Sequence, residues 1–334
     1  MGVASADLQL YLHRSLVRPI LDFGAAVWGP RAVQGAQEGG SREAEDMHLQ
    51  FLRQVFGVKK SVAGVVVLRE AGEGPVWAGW IRRAAAFWNR VLKRGEADLV
   101  RSALEESWRM AEEGEQDCWV AHMRRAVGKV AAGLDLADHA GLATLTALPT
   151  TLTSAQRGEW WRLGLTSLDR QAIAQGLEVR EVPAQRRDGF KVYTHHRWFA
   201  APVDAEGTVG ARFWQVLWSR AAVRRVAQLR MGSHRLAIEE GRFTGIPRAQ
   251  RVCRVCEEGV REDERHYVFE CAGYTQIRGR YPELFGGGDR MLGMRDDEVR
   301  AWMNPVVGQA ATWWPKLNAF LLECTACRNA SLGV

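Results

Sequence analysis

The sequence predicts a mainly α-helical protein, and three observations support this fold class. Apolar residues recur at the 3.6-residue period of an amphipathic helix along most of the chain. Hydrophobic residues make up 47% of the 334 residues and charged residues 25%, which is typical of a globular protein and not of a disordered chain. Strand-like patterns are short and confined to residues 177–182 and 190–193. We therefore expect helices with little β-structure.

The N-terminal residues predict a succession of short helices. Apolar residues from Leu8 onwards follow the helical period, and Asp7 is suited to the N-cap position. Pro19 is expected to end or bend this helix. A short apolar stretch at 21–28 is closed by Pro30 and the glycine before it, which together form a turn signal.

Further helices are predicted before the middle of the chain. One apolar stripe ends at Gly57, a residue type that commonly follows a helix. The strongest amphipathic pattern comprises Trp77, Trp80, Ile81, Ala84, Phe87, Trp88, Val91 and Leu92. Residues 99–110 and 119–130 show two more helical patterns. We assign residues 1–110 to a helical region and residues 111–204 to a connection of helix and loop.

The C-terminal third begins with a basic helix. Its helical pattern starts at Phe213 and continues to about Arg230, with arginines on the polar side. The glycines at 286–288 predict a hinge. The final amphipathic helix has apolar positions at Trp313, Leu317, Phe320, Leu321 and Cys324. We assign residues 205–285 to one region and residues 286–334 to the C-terminal helix.

Positive charge is concentrated in one segment. Residues 212–280 contain 14 arginines, no lysine and eight acidic residues, so this segment has the same formal net charge as the whole chain, +6. The chain has 39 arginines and only 6 lysines, and guanidinium groups suit phosphate recognition. A GC-rich gene would also produce such an excess of arginine over lysine. The position of the positive charge along the chain is therefore stronger evidence than this excess. A basic segment of this kind favours a polyanionic partner.

Four residues of the basic segment have the spacing of a metal site. Cys253, Cys256, His266 and Cys271 follow the pattern C-x2-C-x9-H-x4-C. Two cysteines separated by two residues can direct both sulfur atoms at one ion, and the histidine and the last cysteine can complete a tetrahedron. The alternative is four unrelated residues, with the histidine on the surface and the cysteines buried singly. The spacing favours a structural Zn²⁺ with protein ligands in all four positions.

The other cysteines and histidines do not predict a second site. Cys324 and Cys327 form another C-x2-C pattern, but no histidine or cysteine pair accompanies it, and Cys324 continues an apolar stripe. We interpret both as helix-face residues and Cys118 as a core residue. His195 and the histidine that follows it have no evident partners for a metal.

The sequence predicts a nuclear or cytoplasmic location and no membrane partner. The first six residues lack the basic start and the apolar core of a signal peptide. No run of about 18 apolar residues predicts a membrane-spanning helix. Thiols stay reduced in these compartments, which favours a metal over disulfides for the cysteines.

Arginines and aromatic residues are interleaved around the predicted zinc site. Arginine neutralises phosphates, and aromatic faces stack on unpaired bases. The candidate phosphate contacts are Arg224, Arg225, Arg242, Arg248, Arg251 and Arg254. Phe269 is the candidate stacking residue. Acidic residues at 257–264 leave open the alternative of a solvated face of mixed charge, with the aromatic residues packed in a small core.

The basic segment resembles part of a known family. Residues 229–271, LRMGSHRLAIEEGRFTGIPRAQRVCRVCEEGVREDERHYVFEC, are similar to the zinc-knuckle region near the C-terminus of reverse transcriptases from LINE-type non-LTR retrotransposons. The similarity includes the lead-in at 241–248, the acidic residues before His266, and Tyr274. Residues 16–29, LVRPILDFGAAVWG, are similar to the segment that follows the polymerase palm in the same family.

The resemblance implies a thumb-like helical region followed by a zinc knuckle that holds RNA or target DNA. The paired aspartates of a polymerase palm are missing, because the one Asp-Asp pair, Asp296-Asp297, lies after the knuckle and is interpreted as a helix N-terminus. Only 63 residues follow Cys271, which looks too short for a nuclease domain. We therefore expect a post-catalytic, non-enzymatic fragment that binds nucleic acid and no small-molecule substrate, with other retroelement proteins as further partners.

A second function is compatible with the same residues. In this alternative, zinc only staples the fold, and pairs of arginine and glutamate face a protein partner. The chain would then be a protein–protein interaction module with no nucleic-acid role.

Overall fold

The computed structural model describes residues 5–34, 40–134, 194–199, 212–287 and 291–333. Within these residues the chain is largely helical and contains no β-strand, which confirms the prediction of a mainly α fold. An isolated antiparallel bridge pairs Val252 with Arg261. The strand-like segments at 177–182 and 190–193 lie outside the described residues.

The helices fall into two groups along the chain. The first comprises α1 (Ala6–Leu12), α2 (Arg18–Leu21), α3 (Ala25–Gln34), α4 (Gly40–Phe56), α5 (Gly64–Ala71), α6 (Val76–Leu92), α7 (Leu99–Glu112) and α8 (Trp119–Leu134). The second comprises α9 (Phe213–Val216), α10 (Arg220–Arg230), α11 (Ala237–Phe243), α12 (Thr275–Gly279), α13 (Pro282–Phe285), α14 (Asp296–Trp302) and α15 (Val307–Leu332). Wider, π-type turns occupy His13–Val17, His195–Phe199 and His266–Glu270.

Two prolines are accommodated within helical structure. Pro19 lies in the first turn of α2, where its missing N–H costs little. Pro30 lies inside α3 and not in the predicted turn. The carbonyl of Ala26 loses its helical donor at Pro30, and it accepts instead from the indole Nε1 of Trp119 at 3.2 Å. Asp7 lies in the first turn of α1 and not at the N-cap, where its charge still complements the helix dipole.

The chain divides into two units. The unit that we call the C-terminal unit comprises Met1–Tyr11, Leu52–Glu70 and Ala172–Val334. The unit that we call the N-terminal unit comprises Leu12–Phe51 and Ala71–Gln171. Residues 1–110 therefore contribute to both units, and the four predicted metal ligands all lie in the C-terminal unit.

The core of the N-terminal unit forms around α6. In α6, Trp80 and Ile81 are buried in a cluster to which α3 and α8 also contribute. Trp88, about two turns further along α6, belongs to a second cluster with residues of α7 and α8. Its ring stacks on that of Trp119, with 5.7 Å between the centroids. The tryptophans of α6 thus contribute to the core.

A buried charge network lies in the core of the C-terminal unit. Arg230 of α10 donates from Nε and Nη2 to the two carboxylate oxygens of Glu70, both at 2.9 Å. The Nε2 of His195 lies 2.7 Å from the same carboxylate. Burial alone would raise the pKa of Glu70, but Arg230 and His195 more than offset it and hold that pKa well below its usual value. His195 is therefore a core residue with a carboxylate partner.

Candidate metal centre

A short hairpin positions the first two cysteines. The backbone N–H of Cys253 donates to the carbonyl of Val260 at 2.8 Å. Between these residues the chain reverses through Glu257 at φ +56° and Gly259 at φ +67°. Glycine adopts this left-handed conformation without steric cost, which allows a reversal tight enough to bring Cys256 back towards Cys253.

A π-type turn positions the histidine and the last cysteine. The backbone N–H of Cys271 donates to the carbonyl of His266 at 2.8 Å, a bond that spans five residues. In an α-helix, residues five apart point about 140° away from each other around the axis, whereas a bond of this span brings them to one side. Asp263 fixes the start of the turn, because its Oδ1 accepts from the backbone N–H of His266 at 2.9 Å.

The four predicted ligands converge on one point. One donor atom from each residue lies within 4.8 Å of the other three. The Sγ atoms of Cys253 and Cys271 are 3.8 Å apart, and the Sγ of Cys256 is 3.5 Å from the Nε2 of His266. A tetrahedral ion with bonds of about 2.3 Å to sulfur and about 2.0–2.1 Å to nitrogen needs separations of about 3.8 Å and about 3.5 Å, respectively. The cluster could therefore hold a metal ion. The alternative of four separate residues with the histidine on the surface is wrong, because His266 is buried beside the cysteines.

Hydrogen bonds to sulfur favour a thiolate in this cluster. The Sγ of Cys253 accepts from the backbone N–H of Val255 at 3.4 Å. The contact with Cys271 is the main cause that lowers the pKa of the Cys253 thiol, and burial opposes it. The same contact and burial raise the pKa of Cys271. One thiol thus gives up its proton first, and a bound cation would draw the proton from the other as well.

Phe269 belongs to the interior beside the cluster and not to the surface. Its ring is fully buried and meets the ring of Trp302 edge to face, with 4.8 Å between the centroids. Tyr267 and Tyr274, also buried, pack edge to face at 5.2 Å. A ring with no exposed face cannot stack on a base, so the structure contradicts the stacking role predicted for Phe269. The aromatic residues form a small core instead, as the alternative interpretation had it.

Two of the predicted phosphate contacts are engaged within the protein. Arg251 donates from Nε to the carbonyl of Ile246 and from Nη1 to the carbonyl of Ile238, both at 2.9 Å. Arg225 donates to the side-chain oxygen of Asn318 at 2.5 Å. These guanidinium groups connect segments of the C-terminal unit. A structural role therefore explains these two arginines without a phosphate contact.

Two of the four other predicted contacts lie nearer to solvent. Arg242 and Arg254 are exposed, and Arg224 and Arg248 are half-buried. Arg242 pairs with Glu239 at 3.4 Å. Arg254 lies between the two cysteines of the hairpin and makes no ion pair with any residue that the structure describes. Arg242 and Arg254 are therefore the arginines near the cluster that a partner can reach most easily.

Two carboxylates before the histidine, Glu262 and Glu264, are buried and paired, whereas the alternative interpretation of the sequence included them in a solvated face. Both oxygens of Glu262 accept hydrogen bonds from Arg328 of α15. The Oε1 of Glu264 lies 2.9 Å from the Nε2 of His234. No local pattern could reveal the first pair, because its members are 66 residues apart.

The interpretations of the other cysteines and of the Asp-Asp pair agree with the structure. Cys324 is buried on α15, and Cys327 is half-buried on the same helix. Cys118 is buried. Asp296 begins α14, so the Asp-Asp pair lies at a helix N-terminus.

Comparison of the chain with protein-family models, with curated proteins and with solved structures finds no match. Among the described residues, no helix has both the length and the apolar character needed to cross a bilayer.

Proposed function

We propose that Cys253, Cys256, His266 and Cys271 bind a structural Zn²⁺. The main support is that the four donor atoms lie within 4.8 Å of one another and that two of their separations, 3.8 Å and 3.5 Å, match those around a tetrahedral zinc ion. Four protein ligands leave no open position for a substrate, and three of the four residues are buried. The metal would then tie the hairpin to the π-type turn and stabilise the fold, with no part in a reaction.

We further propose that the C-terminal unit binds nucleic acid without catalysing a reaction on it. The observation that carries this proposal is the concentration of positive charge at 212–280, where Arg242 and Arg254 expose their side chains. Guanidinium groups on a surface attract phosphate and release its counterions on binding. The resemblance to the zinc-knuckle region of LINE-type reverse transcriptases also supports the proposal, and under it the ligand would be retroelement RNA or target DNA.

Charge reversal at the two exposed arginines tests this function. The variant of the full chain would carry Arg242→Glu and Arg254→Glu, and its binding to labelled single-stranded RNA would be measured over a salt series. We expect weaker binding, and a slope of log K against log salt that is shallower by about 0.7 for each lost phosphate contact. Arg109→Glu is the control, because Arg109 is exposed, ion-paired with Glu106 and remote in sequence from the basic segment. Equal affinity of all three proteins would contradict a nucleic-acid contact at Arg242 and Arg254.

A zinc-stapled protein-interaction module is the second candidate function. Glu257 and Glu258 are exposed in the same turn as Arg254, so the tip of the hairpin presents charge of both signs. Such a mixed surface suits a protein partner better than a polyanion. Under this function, the wild-type chain binds zinc and folds but has no measurable affinity for RNA or DNA.

A further inference from the structure

A groove lies between helices α10 and α15 of the C-terminal unit. Its volume is about 470 Å³, and Leu229, Leu236 and Leu321 form its apolar part. This volume falls in the range of roughly 300–1,000 Å³ that encloses a small ligand. A groove of this volume admits a short length of a single extended strand, whereas a nucleic-acid duplex would contact only its rim.

Arginine dominates the polar lining of the groove. Arg224 and Arg225 belong to α10, Arg328 to α15, and Arg235 to the loop that follows α10. Along the part of the chain that the structure describes, no aspartate or glutamate lines the groove. The groove therefore presents positive charge on both of its helices.

Only part of this charge is neutralised. Arg328 is paired with Glu262, which is not among the residues that line the groove. Arg224 and Arg235 make no ion pair with any other described residue. The side chain of Arg224 lies across Gly57, so closely that a Cβ there would be 2.5 Å from its Nε. This Nε is buried and has no hydrogen-bond partner among the described residues. Two guanidinium groups at the groove thus lack a counter-charge.

We infer that this groove holds a single strand of nucleic acid by its phosphodiester backbone. Phosphates supply the counter-charge that Arg224 and Arg235 lack. The aromatic residue in the lining, Tyr267, is buried and donates its hydroxyl towards the carbonyl of Leu321, so it offers no face for stacking. Binding is therefore independent of base sequence. The inference rests on the proposed nucleic-acid function, to which it adds the strandedness of the ligand and the site.

The test compares a single strand with a duplex on the full, zinc-loaded chain. The probes are a labelled oligouridylate of about 12 nucleotides and an RNA duplex of the same length. One variant carries Arg224→Gln and Arg235→Gln, and the matched variant carries Arg224→Lys and Arg235→Lys, which retain the charge. We expect the Gln variant to bind the single strand roughly tenfold more weakly, with a salt slope shallower by about 1.4. The Lys variant should keep most of the wild-type slope, and the wild type should prefer the single strand to the duplex.

The possible outcomes separate the groove from the wider function. If the Gln variant binds as the wild type does, while Arg242→Glu with Arg254→Glu weakens binding, the groove is not the site and the proposed function stands. A wild-type chain that binds neither probe overturns both. A preference for the duplex overturns the single-strand assignment. Circular dichroism verifies that the Gln variant is folded, and if it is not, Arg235→Glu alone replaces it, because Arg235 is exposed.

Discussion

Arg328 donates two hydrogen bonds to the carboxylate of Glu262, at 2.7 Å from Nε and at 2.9 Å from Nη2. The Glu262 side chain is 2% exposed and that of Arg328 is 11% exposed. The same carboxylate accepts from the backbone N–H of Ala237 at 2.6 Å. One buried group therefore joins α11, α15 and the segment that leads to His266. The last helix of the chain thus supports the candidate metal centre.

Removal of Arg328 should destabilise the C-terminal unit. The substitution Arg328→Ala leaves the carboxylate of Glu262 buried without its cation, and breaking a buried pair in this way costs about 3–5 kcal/mol. The free energy of unfolding in urea measures the effect. Arg295→Ala is the control, because Arg295 forms its ion pair with Asp297 on the exposed surface, where solvent screens the attraction. If both substitutions lower the free energy of unfolding by a similarly small amount, the ion pair of Arg328 with Glu262 does not hold α15 in place.

Loss of one ligand should release the metal. Cys271→Ser or His266→Asn leaves three of the four donors, and we expect the purified variant to lose its Zn²⁺ and the C-terminal unit to unfold at a lower temperature. Metal analysis of the dialysed protein and thermal unfolding, with and without a chelator, measure the two effects. Cys327→Ser is the matched control, because this cysteine lies outside the cluster. Full zinc retention by the Cys271 variant would refute the assignment of this residue as a ligand.

The ligand set was predictable because it is local, whereas burial and pairing depend on distant residues. The spacing from Cys253 to Cys271 specifies the four donors within one short segment of chain. Phe269 lies in that segment, but it is buried by Trp302 of a later helix, which no local pattern reveals. The amphipathic helices were likewise predictable from their own residues. The network of Glu70 and Arg230 was missed, because its members are 160 residues apart.

Two buried histidines in the N-terminal unit should make the fold sensitive to acid. The Nε2 of His13 lies 3.0 Å from the Nδ1 of His48. Burial, followed by the charge of Arg18, lowers the pKa of His13 to about 4 and that of His48 to about 3. Histidines in the unfolded chain titrate near 6.5 and take up protons that the folded state does not. The stabilisation is therefore complete above about pH 6.5 and is lost as the pH falls towards the folded values.

Substitution of both histidines should flatten this pH dependence. The variant would carry His13→Phe, which retains the ring that stacks on Phe51, and His48→Gln. Thermal unfolding of variant and wild type, each referred to its own value at pH 8, gives the loss of stability on acidification. We expect a shallower loss in the variant, because the other titrating groups are common to both proteins. Equally steep losses would mean that this pair does not link protonation to folding.

Arg251 and Arg254 should differ in what their loss affects, although they lie three residues apart in the same basic segment. Arg251→Ala leaves the carbonyls of Ile238 and Ile246 without their donor, which we expect to cost about 1–3 kcal/mol of unfolding free energy. Arg254 is exposed, so Arg254→Ala should leave stability unchanged and weaken only the binding of RNA. Urea denaturation and RNA titration on both variants separate the two roles. If the Arg251 variant is fully stable but binds RNA more weakly, Arg251 is a phosphate contact after all. If the Arg254 variant is less stable than the wild type, the Arg254 side chain contributes to the stability of the fold.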